Sequence, residues 1–171
     1  IKEKKQLAKL KFPERTRSVD FSNDGKSFAC GTGNSIKIYN TVNFQETFTL
    51  PNNNNVCAVV FSEDSRYLGV TGQQIYVWDF QTKKIIWEQK AFFNSGGQFG
   101  HVAAFSQNGK HFASKTHNNR FSVWETENFE KTAEFDGNLV AINFAPKNDI
   151  LVAGTWQGEL VYINTKTWEL I

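Results

Sequence analysis

Few residues of this chain have types and spacings that could do chemistry, and each has a plainer reading beside it. Cys30-Gly31-Thr32-Gly33 contains a Gly-x-Gly that could approach a phosphate. It has no third glycine and no helical pattern after it, so a turn between strands explains it better. His101, His111 and His117 lie close in sequence but share neither a helix face nor a metal-ligand spacing. Asp24, Asp64 and Asp79 recur at turn positions, where a carboxylate that bonds its own backbone is a simpler role than acid–base catalysis. Cys57 lies in the apolar run Val56–Phe61 and reads as a packed core thiol, as does Cys30. No nucleophile is paired with a base. The sequence therefore predicts no catalytic residue, no metal, no cofactor and no small-molecule substrate, so the chain is read as a non-enzyme.

Composition narrows the field in the same direction. The 171 residues amount to one domain or a piece of one. With 40% hydrophobic and 21% charged residues the chain is too apolar for general disorder. A formal charge of +2 gives no broad electrostatic case for nucleic acid or membrane. Two cysteines cannot build a disulfide scaffold. No apolar stretch reaches the roughly 20 residues of a membrane span. Seventeen asparagines occur without one Asn-x-Ser/Thr sequon, which favours an intracellular protein, cytoplasmic or nuclear. There is no methionine, even at position 1, so a fragment or processed piece is expected.

The elements that must position any site are set by an internal repeat. Phe21-Ser-Asn-Asp-Gly-Lys, Phe61-Ser-Glu-Asp-Ser-Arg, Phe105-Ser-Gln-Asn-Gly-Lys and Phe144-Ala-Pro-Lys-Asn-Asp are one anchor, spaced 40, 44 and 39 residues apart. A second anchor follows each: Ile38-Tyr39-Asn40, Val77-Trp78-Asp79, Val123-Trp124-Glu125 and Tyr162-Ile163-Asn164. Each copy reads as four short strands. The first ends at the phenylalanine: Ser18–Phe21, Val56–Phe61, Val102–Phe105, Val140–Phe144. The second is Ser27–Gly31, Tyr67–Thr71, His111–Ser114, Ile150–Gly154. The third is Ser35–Tyr39, Gln74–Trp78, Arg120–Trp124, Glu159–Ile163. The fourth, more polar, is Phe44–Leu50, Lys84–Gln89, Phe129–Phe135, Trp168–Ile171, as suits an outer edge. Val56–Phe61 is apolar on both sides of the alternation, so it must be covered on both faces. The lysine-rich start could be a helix by composition. Its register favours an outer strand, because Phe12 precedes Phe21 by nine residues as Phe135 precedes Phe144.

A period near forty, four strands per unit and a Trp-Asp closing the third strand resemble the WD-repeat β-propeller family. The resemblance runs from about Leu7 to Ile171, strongest at Trp78-Asp79, next at Trp124-Glu125, and weak in the first and fourth copies. It implies an all-β fold of propeller blades, each of four antiparallel strands: four blades plus a leftover N-terminal outer strand. The expected boundaries are 1–12 for that outer strand of a preceding blade, then 13–51, 52–91, 92–136 and 137–171 for the blades. The family usually has a Gly-His before the Phe anchor and an Asp between strands two and three, which join a Ser/Thr and the Trp in a buried network. Neither is present. Asn34, Gln73, Asn118 and Gln157 occupy the turns, and His101 is in the wrong register. A half-satisfied polar network is worse than none. Sixteen Phe and five Trp are expected to carry the packing instead. Four copies and a spare strand suggest a window of a larger ring, whose end blades would expose apolar faces.

Two features carry a partner-binding reading. One is the connection Ala91–Gly100, where Phe92, Phe93 and Phe99 flank Gly96-Gly97; its phenylalanines either meet a partner or tuck into the blades. The other is the rim of fourth-to-first and second-to-third connections, a face that in this family often binds peptides. It would carry Arg15, Arg17, Lys115, His117, Arg120 and Trp156, suited to an acidic or phosphorylated peptide, with scattered solvated charges as the bland alternative. Asn52–Asn55 reads as a surface connector. The chain is thus expected to be a non-catalytic scaffold for other proteins in a multi-subunit complex. RNA contact through Lys2, Lys4, Lys5, Lys9 and Lys11, and a substrate-recognition module of a larger enzyme such as a ubiquitin ligase, are the alternatives.

Overall fold

Short strands separated by two- to five-residue turns pair most readily with their sequence neighbours, and the sheets follow that rule. The structure, a computed structural model, describes residues 8–51, 56–91, 102–116 and 119–171. The first blade holds β1 (Thr16–Phe21), β2 (Ser27–Thr32), β3 (Ser35–Asn40) and β4 (Glu46–Pro51). The second holds β5 (Ala58–Phe61), β6 (Tyr67–Thr71), β7 (Gln74–Asp79) and β8 (Lys84–Lys90). The third holds β9 (Ala103–Phe105), β10 (His111–Lys115), β11 (Arg120–Glu125) and β12 (Lys131–Asp136). The fourth holds β13 (Leu139–Phe144), β14 (Ile150–Thr155), β15 (Leu160–Asn164) and β16 (Glu169–Leu170). Each is a four-stranded antiparallel sheet in sequence order.

Turn chemistry explains why the motif recurs. After the phenylalanine, Ser22, Ser62 and Ser106 donate to Asp24, Asp64 and Asn108 at 2.6, 2.6 and 2.7 Å. Each hydroxyl also accepts the N–H that opens the second strand, from Ser27, Tyr67 and His111. Gly25 and Gly109 then take φ +70°, the left-handed conformation in which a β-carbon is costly. After the third strand, Asn40, Asp79 and Asn164 each accept two backbone N–H groups from the turn they start. That is the physical role of the acid in Trp-Asp. Glu125 is one methylene longer, and in that blade Thr126 Oγ1 bonds the Gly109 carbonyl.

The blades pack face to face. Ile36, Ile38 and Leu50 meet Leu68, Val70 and Trp78 between blades one and two. Ile75 and Val77 meet Phe105, Phe112 and Trp124 between two and three. Phe121 and Val123 meet Leu151, Ala153 and Ile163 between three and four. Each such side chain contributes about 1.5–3 kcal/mol by leaving water. Gly69 permits the second seam to close, because a β-carbon there would lie 2.7 Å from the Phe112 ring. The one buried side-chain N or O without a partner among the described residues is Trp78 Nε1. The missing His and Asp of the repeat are felt at that atom.

Of the expected outer strand, residues 1–7 lie outside the described residues; the described residues 8–12 adopt no strand, and Phe12 packs edge-on against Tyr39 at 6.1 Å. Cys57, expected in the core, is half-buried because it precedes β5 rather than belonging to it.

The innermost strands succeed one another around an axis: β1 packs on β5, β5 on β9 and β9 on β13. They line a central cavity of about 530 Å3. Two side chains of β1 stitch the open edge of β5. The Val59 N–H donates to Ser18 Oγ at 3.1 Å, and the Phe61 N–H donates to Asp20 Oδ2 at 2.7 Å. Burial pushes the Asp20 carboxyl above its ordinary value, partly offset by the N–H groups of Phe61 and Phe21. The four sheets form an arc rather than a closed ring: no strand-to-strand packing like that of β9 on β13 joins β13 back to β1.

Candidate partner-binding rim

Antiparallel order puts the second-to-third turns and the approaches to the first strands at one end of every blade. At that end Arg15 and Arg17 lie at the start of β1, Lys115 and Arg120 flank the β10–β11 turn, and Trp156 lies in the β14–β15 turn. Phe92, Phe93, Phe99 and His117 lie outside the described residues.

Trp156 is the exposed aromatic of this end, at 64%. Its turn is rigid. The Thr155 N–H donates to the Glu159 carbonyl at 2.9 Å, the Gly158 N–H donates to the Thr155 carbonyl at 3.1 Å, and Gly158 takes φ +85°. The Trp156 N–H donates across to the Asn138 carbonyl at 2.9 Å, which ties the turn to the strand approach of its own blade.

Lys115 requires a correction. It is buried, not displayed on the rim: its ammonium donates to Asn138 Oδ1 at 2.7 Å and reaches the Leu139 carbonyl at 3.4 Å. Desolvation lowers its pKa. The charge joins blade three to blade four beneath Trp156, so it is not presented to a partner. Arg120 is exposed but engaged. Its Nε donates to Asp136 at 2.8 Å and its Nη1 to Glu134 at 3.2 Å, with Asp136 directly opposite in the ladder. Those carboxylates raise its pKa, Asp136 most. Arg120 is therefore already paired with carboxylates of its own blade. Sequence reasoning missed Asn138, Asp136 and Glu134. The signal was the pairing register, in which a strand ending Glu134-Phe135-Asp136 faces one beginning Arg120-Phe121-Ser122.

Arg15 and Arg17 are exposed on the first blade. The Arg17 guanidinium approaches Cys57 Sγ at 3.8 Å. Nearby, Glu14 accepts the Asn34 N–H at 3.1 Å.

The repeat anchors divide. Phe61, Phe105, Phe144, Trp78, Asp79 and Trp124 are buried, whereas Phe21 is exposed. His111 packs edge-on against Trp168 at 4.9 Å and lies over Phe144, and burial lowers its pKa, so it is a packing residue. Among the described residues no group of three His, Cys, Asp or Glu could hold a metal. Among the described residues, Asp20 is the one ionisable group lining the central cavity. Among the described residues no helix is long and apolar enough to cross a membrane.

Comparison with known proteins agrees with this plan. The family model for the WD domain, G-beta repeat, matches residues 5–40. No curated protein matches the chain in sequence. The crystal structure of RRP9 WD40 repeats superposes with a TM-score of 0.80 at 13% identity, covering 95% of this chain and 52% of that one. A structure of U3-55K gives the same values. Kuenenia stuttgartiensis hydrazine synthase gives 0.78 at 19% identity, covering 99% of this chain and 51% of that one. The chain thus spans about half the length of each structure it matches. A blade plan repeated four times, with one WD repeat matched over residues 5–40 and a superposition along nearly the whole chain, gives this chain the fold of β-propeller blades like those of the WD40 structures.

Proposed function

We propose that the chain is a non-catalytic interaction platform that holds other proteins within a larger intracellular assembly, with Trp156 as the anchor of the contact. The observation that carries this reading is a large aromatic side chain, mostly exposed, on a turn fixed by hydrogen bonds on both sides. A rigid aromatic loses little entropy on binding, and such residues dominate interface energetics. Arg15 and Arg17 would supply charge for an acidic or phosphorylated segment, and Phe92, Phe93 and Phe99 a second aromatic contact. The 19% identity to a hydrazine synthase is a likeness of fold and supports no catalytic role.

The test is Trp156→Ala, compared with the native chain by affinity purification after crosslinking in the source cells. Loss of a hot-spot tryptophan weakens its partner by about 2 kcal/mol, roughly thirtyfold, while the β-type circular dichroism is unchanged. An identical set of crosslinked proteins from the variant refutes the assignment. RNA contact is the alternative, drawn from the lysine-rich start, of which Lys9 and Lys11 are described and exposed. It predicts partners that are lost on nuclease treatment. A recognition module of a ubiquitin ligase predicts ligase subunits among the crosslinked set.

A further inference from the structure

The outer strands β4, β8 and β12 each form the edge of their sheet, so their ladders can be compared position by position. Each carries one residue bulged out of register against the third strand: Thr47, Ile86 and Thr132. The Thr47 hydroxyl donates to the Ile38 carbonyl at 3.1 Å. Ile86 has no polar atom to place there and is 43% exposed. The residue before the bulge is Glu46 in the first blade and Lys131 in the third, but Ile85, also 43% exposed, in the second. Earlier still, one residue of left-handed conformation precedes each outer strand. It is Phe44, Phe129 or Trp168 in the other blades and Lys83 in the second. The second blade thus has apolar side chains where its neighbours are polar, and a charge where they are aromatic.

The charges differ in the same way. On β4, Glu46 is paired with Lys37 at 2.7 Å, and the strand ends at Pro51, which has no N–H to offer. On β12, Arg120 holds Glu134 and Asp136, and Lys131 also holds Glu134. Along β8 and its approach, Lys83, Lys84 and Lys90 stand against one carboxylate, Glu88. Among the described residues none of these four is in an ion pair. The Lys83 ammonium lies over the Phe48 ring of the first blade at 4.3 Å, which fixes it at the outer wall. Beyond the bulge, residues 87–90 run in unbroken register with residues 74–77. One row of their backbone N–H and C=O groups therefore faces outward at regular spacing.

We propose that the outer edge of β8 receives an extended acidic segment of a partner protein, which adds to the second blade as a fifth strand. Main-chain bonds along the edge supply affinity. Lys83, Lys84 and Lys90 select carboxylates, and Ile85 and Ile86 select apolar residues between them. The same lysines turn away a second copy of the chain, because antiparallel self-pairing of this edge sets Lys83 against Lys90. A nucleic acid engages neither the isoleucines nor the backbone ladder. The second blade is packed between the first and the third, so neither end of the chain shapes this edge. The inference does not depend on the partner-binding role of Trp156.

Fluorescence anisotropy with the full chain and labelled peptides of about eight residues tests it. Three probes alternate Val with Glu, with Gln or with Lys. A fourth is the Glu peptide with Pro in place of one central Val. At low salt the Glu peptide should bind about tenfold more tightly than the Gln peptide, and the Lys peptide not detectably. The Pro peptide should bind about tenfold more weakly than its parent, because proline breaks the added ladder. Ile85→Glu combined with Ile86→Thr reproduces the Glu46-Thr47 pair of the first blade, so the fold should be kept, with the β-type circular dichroism intact. That variant and Lys84→Glu should each lower affinity for the Glu peptide about tenfold. Lys147→Glu, the same charge change on an exposed turn of the fourth blade, should leave it unchanged. No binding of the Glu peptide, equal binding of the Glu and Lys peptides, or affinity indifferent to proline or to the β8 substitutions would overturn the proposal. So would complete displacement of the Glu peptide by a single-stranded oligonucleotide, which would assign the lysines to a nucleic acid.

Discussion

At the scale of single residues, Trp78 is where this chain departs most from its repeat pattern. The indole is buried against the first blade, yet its N–H has no acceptor among the described residues. A buried donor left unmade costs about 1–3 kcal/mol. Trp78→Phe removes that donor along with some packing, so the two changes nearly cancel and stability should shift by less than about 1 kcal/mol in urea unfolding. Trp78→Ala has no such compensation and should cost about 3–5 kcal/mol. A large loss in the phenylalanine variant would show that the N–H is satisfied. The orphaned indole was legible in advance from the missing His and Asp. The burial of Lys115 was not. A lysine ending an apolar strand reads as solvated, and only the fold brings Asn138, 23 residues away, to its ammonium.

At the scale of elements, the turns explain why the repeats could be read at all. A side chain that caps its own backbone acts over two or three residues, so its signature survives in sequence, as Ser22-Asn-Asp-Gly and Trp78-Asp79 do. Asp79 makes the point testable. Its carboxyl is held below the ordinary carboxylate value, first by the Thr82 N–H and also by Arg66. A depressed folded pKa contributes stability above the unfolded value, and that contribution is lost as pH falls through the folded one. Asp79→Asn should keep the turn, because Asn40 and Asn164 already perform the same capping. It should also flatten the acid limb of the stability–pH curve, read as thermal midpoint from pH 6 downwards. Asp79→Ala should lower the midpoint at every pH. An asparagine variant with the native acid limb would assign that limb to other carboxylates. Residues 8–12 show the opposite case: their alternation is local, but a strand forms only where a second edge accepts it, and that information is not within the segment.

At the scale of the whole molecule, stability is a sum of blades and seams, so position along the arc sets local stability. The second and third blades are packed on both faces, whereas the first and fourth are packed on one. Amide exchange should therefore be slowest in β6, β7, β10 and β11 and faster in β2, β3, β14 and β15, by about tenfold for each 1.4 kcal/mol of lost seam energy. Leu68→Ala and Phe112→Ala, each at an internal seam, should cost about 2–5 kcal/mol and raise exchange in both blades that meet there. Uniform protection along the four sheets, or an effect confined to the substituted blade, would mean that the seams do not set the stability.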